Sequence, residues 1–97
     1  SGGNAQKVVI GKCLASEPKV LLLNNPTRGI DVGARYEIYQ IIDKLRNDGI
    51  SIIMVSEDLP ELLGMSDRLI IMKSGKISKL FTSTDGLTEE EVISYMI

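Results

Sequence analysis

Apolar residues follow two rhythms along this chain. Val20–Leu23, Ile52–Val55 and Leu69–Met72 are continuous runs bounded by turn residues. Such runs predict buried strands covered on both faces, as in a parallel sheet. Between the first two, Ile38, Ile41, Ile42 and Leu45 recur at helical spacing among Glu37, Gln40, Asp43, Lys44 and Arg46. This predicts a helix over Gly33–Asp48, capped by Asp31 and closed by Gly49 as its C′ residue. Strand, helix, strand in this order is a βαβ unit. Asp58-Leu59-Pro60-Glu61 predicts a further short helix, with an N-cap, an early Pro and Glu at N3, stopped at Gly64. Lys73-Ser74-Gly75-Lys76 predicts a hairpin turn that brings Ile77–Phe81 back onto the third run. Thr88 and Glu91 form a capping box ahead of a last helix, Glu89–Met96. Ala5–Ala15 is a weaker helical stretch because Gly11 interrupts it. The layout is α/β with a small antiparallel hairpin.

Composition narrows the chemistry. The chain has 97 residues, 11 Lys+Arg against 13 Asp+Glu, no His and one Cys. A net charge of −2 argues against nucleic acid as a partner. Without His there is no His-based catalysis and no His-ligated zinc. One Cys forms no internal disulfide, which suits a reducing cytosol. None of the apolar runs approaches the roughly 18 residues of a membrane span, and no signal peptide is recognisable. The chain opens on Ser1-Gly2-Gly3 without Met, as a piece of a longer protein would.

Three places carry candidate chemistry. Ser1-Gly2-Gly3-Asn4 opens a helical stretch, where small residues and the helix dipole favour an anion, or form only a turn. At the end of the first run stand Asn24 and Asn25, then Pro26-Thr27-Arg28-Gly29-Ile30-Asp31-Val32-Gly33. Ligands of open α/β sheets bind at such carboxyl ends, and nucleotide hydrolases place an Asp for Mg²⁺ and a Glu for water there. An Asx-type turn closing a strand accounts for the two Asn residues equally well. At the end of the second run, Asp58 reads as a helix cap, and Glu57 as either a site residue or a surface carboxylate. Glu89-Glu90-Glu91 reads as a dipole-complementing helix start rather than a metal site. Cys13, Tyr36, Tyr39, Met54, Met65, Met72 and Met96 read as packing residues.

In order, these segments resemble one family along essentially the whole chain. Ser1-Gly2-Gly3-Asn4-Ala5-Gln6-Lys7-Val8 resembles the signature motif of ABC-transporter ATPases, without its leading Leu. Leu21–Gly33 is similar to the Walker B strand and D-loop that follow it. Ser56–Arg68 is similar to the switch region. Pro26–Ala34 is similar to the version in ATPases of bacterial sugar importers of the ribose, galactose and xylose type, and Pro60–Arg68 resembles the switch region of that same subfamily, more of the second ATPase domain than the first.

The resemblance implies that residues 1–97 form the C-terminal part of a P-loop NTPase domain: part of a parallel sheet with flanking helices and a hairpin. The Walker A loop, with its Lys and its Mg²⁺-binding hydroxyl, would lie upstream. In such ATPases two domains pair head to tail around two ATP molecules. Ser1, Gly2, Gly3 and Asn4 would then meet the phosphate held by the partner domain, and Asp31 would face that partner. This chain's own site departs from the family. Asn24 stands at the Mg²⁺ position, Asn25 at the catalytic Glu and Glu57 at the switch His. Amides supply neither the charge nor the base, and a carboxylate at position 57 repels phosphate. Native degeneracy and a paired amide substitution read identically in the sequence.

The expected cofactors are therefore ATP and Mg²⁺ in a full-length parent, with none for the isolated chain, which should be inactive. The expected partners are a second ATPase domain and membrane permease subunits. The expected location is the cytoplasm, at the inner face of the membrane through the permease. The alternative is an ABC-derived regulatory or interaction module without nucleotide chemistry. A missing Walker A strand between the second and third runs would further leave three outcomes: direct pairing of those runs, self-association with strand exchange, or an unfilled gap.

Overall fold

The computed structural model describes residues 2–97. It forms two compact units, residues 1–56 and 57–97. The first contains α1 (Gly2–Leu14), β1 (Val20–Asn24), α2 (Val32–Asn47) and β2 (Ser51–Val55). The second contains α3 (Leu59–Met65), β3 (Leu69–Lys73), β4 (Lys76–Phe81) and α4 (Glu89–Ser94).

In the first unit β1 and β2 pair in parallel, from Val20 opposite Ser51 to Asn24 opposite Val55. Successive side chains alternate between faces. Leu21 and Leu23 are buried on one face, while Val20, Leu22, Ile53 and Val55 are exposed on the other. The expectation of strands covered on both faces is thus corrected, because the helices bury only one side of this pair. α2 turns Ile38, Ile42 and Leu45 inward at i, i+4 and i+7. It lies against both β2 and α1. Asp31 caps it, accepting from the Ala34 amide at 2.9 Å. Gly49 follows the helix at φ 93°, the left-handed C′ conformation that glycine adopts without steric cost.

In the second unit β3 and β4 form an antiparallel hairpin, with its register shifting between Ile71 and Met72. Ser74 and Gly75 both have positive φ (52° and 77°), the backbone of a turn that matches strand twist. An isolated hairpin is marginal and needs a helix on one face. Leu69, Ile71 and Val92 supply that core, with Leu59, Leu62, Leu63, Phe81 and Leu87 around them. Phe81 and Tyr95 meet edge to face at 5.6 Å, and the Lys79 ammonium lies over both rings. On the hairpin's other face the cross-strand neighbours Ile70 and Leu80 are both exposed.

Among the described residues the sheets are β1–β2 and β3–β4, each within one unit. Gly64 does not stop α3, which continues to Met65; one glycine costs a helix roughly 1 kcal/mol and tertiary packing outweighs it. α1 likewise runs through Gly11. Cys13, Tyr36, Met72 and Met96 are exposed rather than packed. Each sits on a helix, strand or terminal face that no described element covers.

The α4 cap offers a local test. Thr88 Oγ1 accepts from the Glu91 amide at 3.2 Å, and α4 is too short to stand by itself. Thr88→Ala should lower the stability of residues 57–97 by about 1 kcal/mol. Urea denaturation followed by helix signal checks this; an unmoved midpoint would show that Val92 alone holds α4.

Candidate functional site

The site is built from the carboxyl end of β1 upward. The Asn25 amide donates to the Val55 carbonyl at 2.6 Å, extending the parallel ladder one residue past Asn24. There the backbone turns out of the sheet. Asn25 has φ 47°, the left-handed region that Asn tolerates better than most residues. The amides of Arg28 and Ile30 donate to the carbonyls of Asn25 and Thr27, at 3.2 and 3.3 Å, and so fold the loop into consecutive turns. Gly29, at φ 74°, lets it reverse. Pro26, Thr27 and Ile30 are buried, while Arg28 and Asp31 stay exposed. Arg35 Nε donates back to the Ile30 carbonyl at 3.0 Å, tying the first turn of α2 to the loop that precedes it.

Asn24 and Asn25 are brought together. Asn25 Nδ2 donates to Asn24 Oδ1 at 3.1 Å. The only side-chain oxygen that Asn24 could offer a cation therefore already faces an N–H donor. No charge accompanies it, since both groups are amides. Among the described residues, no three His, Cys, Asp or Glu side chains form a group that could hold a metal ion. The Asn24–Asn25 pair does not fit Mg²⁺.

At the start of α1, Gly3 is buried. A Cβ on Gly3 would lie 2.8 Å from Ala34 Cβ, a separation that side-chain carbons do not tolerate. The opening turn of α1 thus rests against the first turn of α2, beside the Asp31 cap. One turn along each helix, the Lys7 ammonium pairs with the Glu37 carboxylate. Asn4 is exposed. Ser1 lies outside the described residues. Glu57 is exposed and belongs to the second unit, directly before Asp58, whose carboxylate accepts from the Glu61 amide at 3.1 Å and caps α3. Ala34 was missed by sequence reasoning. Its only signal is a small residue in the first turn of α2, which has no meaning until α1 is placed against it.

No family model matches the chain. It is 54% identical, over 97% of its length, to a xylose import ATP-binding protein of Moorella thermoacetica. It is 52% identical, over 96% of its length, to a ribose import ATP-binding protein of Geobacillus kaustophilus. The chain is homologous to part of the ABC-type sugar-import ATP-binding proteins. It spans 18% and 19% of the length of those two curated relatives. All of it superposes on a solved ATP-binding cassette of an ABC transporter, with TM-score 0.84 and 26% identity, covering 40% of that chain. A dimeric ATP-binding cassette bound to ADP and Pi superposes on 82% of it, with TM-score 0.72 and 31% identity, covering 34% of that chain. The parallel pair, hairpin and flanking helices accordingly have the fold of part of an ABC ATP-binding cassette, a P-loop NTPase fold.

Proposed function

We propose that this chain is a stretch of the ATP-binding subunit of a sugar ABC importer, in which it completes an ATP site held by a second ATPase domain. Residues 1–4 would act as the signature motif, touching the γ-phosphate of ATP bound by the partner domain, and Asp31 as the D-loop residue facing that domain. The observation that carries this reading is the corner where Gly3 of α1 rests on Ala34 of α2 beside the Asp31-capped loop. It presents a helix start and the exposed Asp31 loop side by side. Backbone donors and a helix dipole there stabilise phosphate charge without supplying a base. Each of the chain's own ATPase positions, Asn24, Asn25 and Glu57, carries a degenerate residue in this reading. The subunit would work in the cytoplasm, against permease subunits at the inner membrane face. Among the described residues, no helix is long and apolar enough to cross a membrane.

The chain alone should show no ATP turnover with Mg-ATP. Activity that persists through further purification would sink this part of the reading. Within a complete cassette dimer, Ser1→Ala should slow hydrolysis at the opposite site by ~10²-fold, the scale of losing one oxyanion donor. No slowing would favour a regulatory or interaction module without nucleotide chemistry.

A further inference from the structure

We propose that Gly3 is a positioning residue that locks the start of α1 to the Asp31-capped corner of α2, so that the two move as one body. The functional consequence rests on the signature reading above; the lock itself does not.

The clash that Gly3 avoids is one atom deep. A Cβ there would meet Ala34 Cβ at 2.8 Å, whereas the next nearest atoms, Ala34 Cα at 3.8 Å and Ile30 Cγ2 at 3.9 Å, are at ordinary contact distance. Ala34 Cβ is fixed to the helix backbone and cannot rotate away, so a side chain at position 3 must push one helix off the other. What it would push against is the corner itself. The Ala34 amide is the donor that Asp31 caps, and Arg35 donates to the carbonyl of Ile30. Ile30 is itself buried. Displacing α1 therefore loads the cap and the loop before it reaches the β1–β2 ladder. The Lys7–Glu37 pair, on the same helix faces, joins two partly exposed side chains and resists little by comparison. Small residues on facing helix surfaces set how closely two backbones approach, and here that approach places α1 relative to the loop.

The test uses the 97-residue chain as Gly3→Ala, Ala34→Gly, the double variant and Lys7→Gln, with amide hydrogen exchange resolved by residue. In Gly3→Ala the Ala34 and Arg35 amides should exchange at least tenfold faster, while Leu23 and Ile53, whose amides face the partner strand in the β1–β2 ladder, keep their protection. Adding Ala34→Gly should restore the slow exchange, because the clashing carbon is then gone. Lys7→Gln should leave both amides within about twofold of the parent chain. If Gly3→Ala does not fold, recovery of folding in the double variant supports the lock and continued unfolding overturns it. Unchanged exchange at Ala34 and Arg35, or a uniform loss across β1 and β2, also overturns it. These readouts involve no nucleotide, so failure of the lock and failure of the signature reading are separately visible.

Discussion

Ile38→Ala should unfold residues 1–56 while leaving the hairpin unit folded. Ile38 is fully buried, at 0% exposure, and α2 reaches the sheet through it and its neighbours Ile42 and Leu45. Truncating a buried Ile to Ala costs roughly 2–5 kcal/mol, in lost transfer energy and the cavity left behind. A chain of this size buries only about 60% of its unfolded surface and has little stability in reserve. One face of the β1–β2 pair is bare, so no second layer makes up the loss. Chemical denaturation, with exchange of the β1–β2 amides as the local readout, checks this. Tyr36→Ser is the control: Tyr36 is 67% exposed two residues away, and its loss should change stability by no more than ~0.5 kcal/mol. Equal midpoints for the two variants would mean that α2 does not hold this unit together.

Asn24→Asp combined with Asn25→Glu, made in a complete cassette, should raise ATP turnover at the chain's own site by ~10²–10⁴-fold, the usual contribution of a positioned general base. The present geometry explains why both changes are needed. Asn25 Nδ2 occupies Asn24 Oδ1 at 3.1 Å. Asp at 24 alone would restore charge but keep that donor against it, and Glu at 25 alone would leave no charged partner for the metal. The same pair should make the isolated chain slightly less stable. Asn25 sits at φ 47°, where side chains other than Gly, Asn and Asp carry roughly 1–2 kcal/mol of strain. Activity and stability should thus move in opposite directions. A double variant with no gain in steady-state turnover would contradict the degenerate-site reading, whatever its melting behaviour.

Much of the site was legible because its signals are local. Asp31, Asp58 and Thr88 were readable as caps, since a short oxygen-bearing side chain before a helical pattern bonds an amide three residues on, and each does so. Ser74-Gly75 announced its turn in the same way. The backbone turn at Asn25 and its amide contact with Asn24 were not legible, because a residue at positive φ and an amide pair at 3.1 Å leave no trace in composition. Exposure was the least legible property. Cys13 and Met72 have apolar side chains, yet whether they are covered depends on elements distant in sequence.

The sequence by itself determined the order and kind of elements, the helix caps and the hairpin turn. It also determined that two neighbouring amides, Asn24 and Asn25, stand at a strand end. All of these rest on interactions within a few residues or on side-chain chemistry that no fold can alter. Only the tertiary structure decided which strand faces are covered, that the strands form two separate pairs, and that Gly3 meets Ala34 with no room for one further carbon. Those outcomes join residues some thirty positions apart, where close packing rather than local propensity sets the geometry.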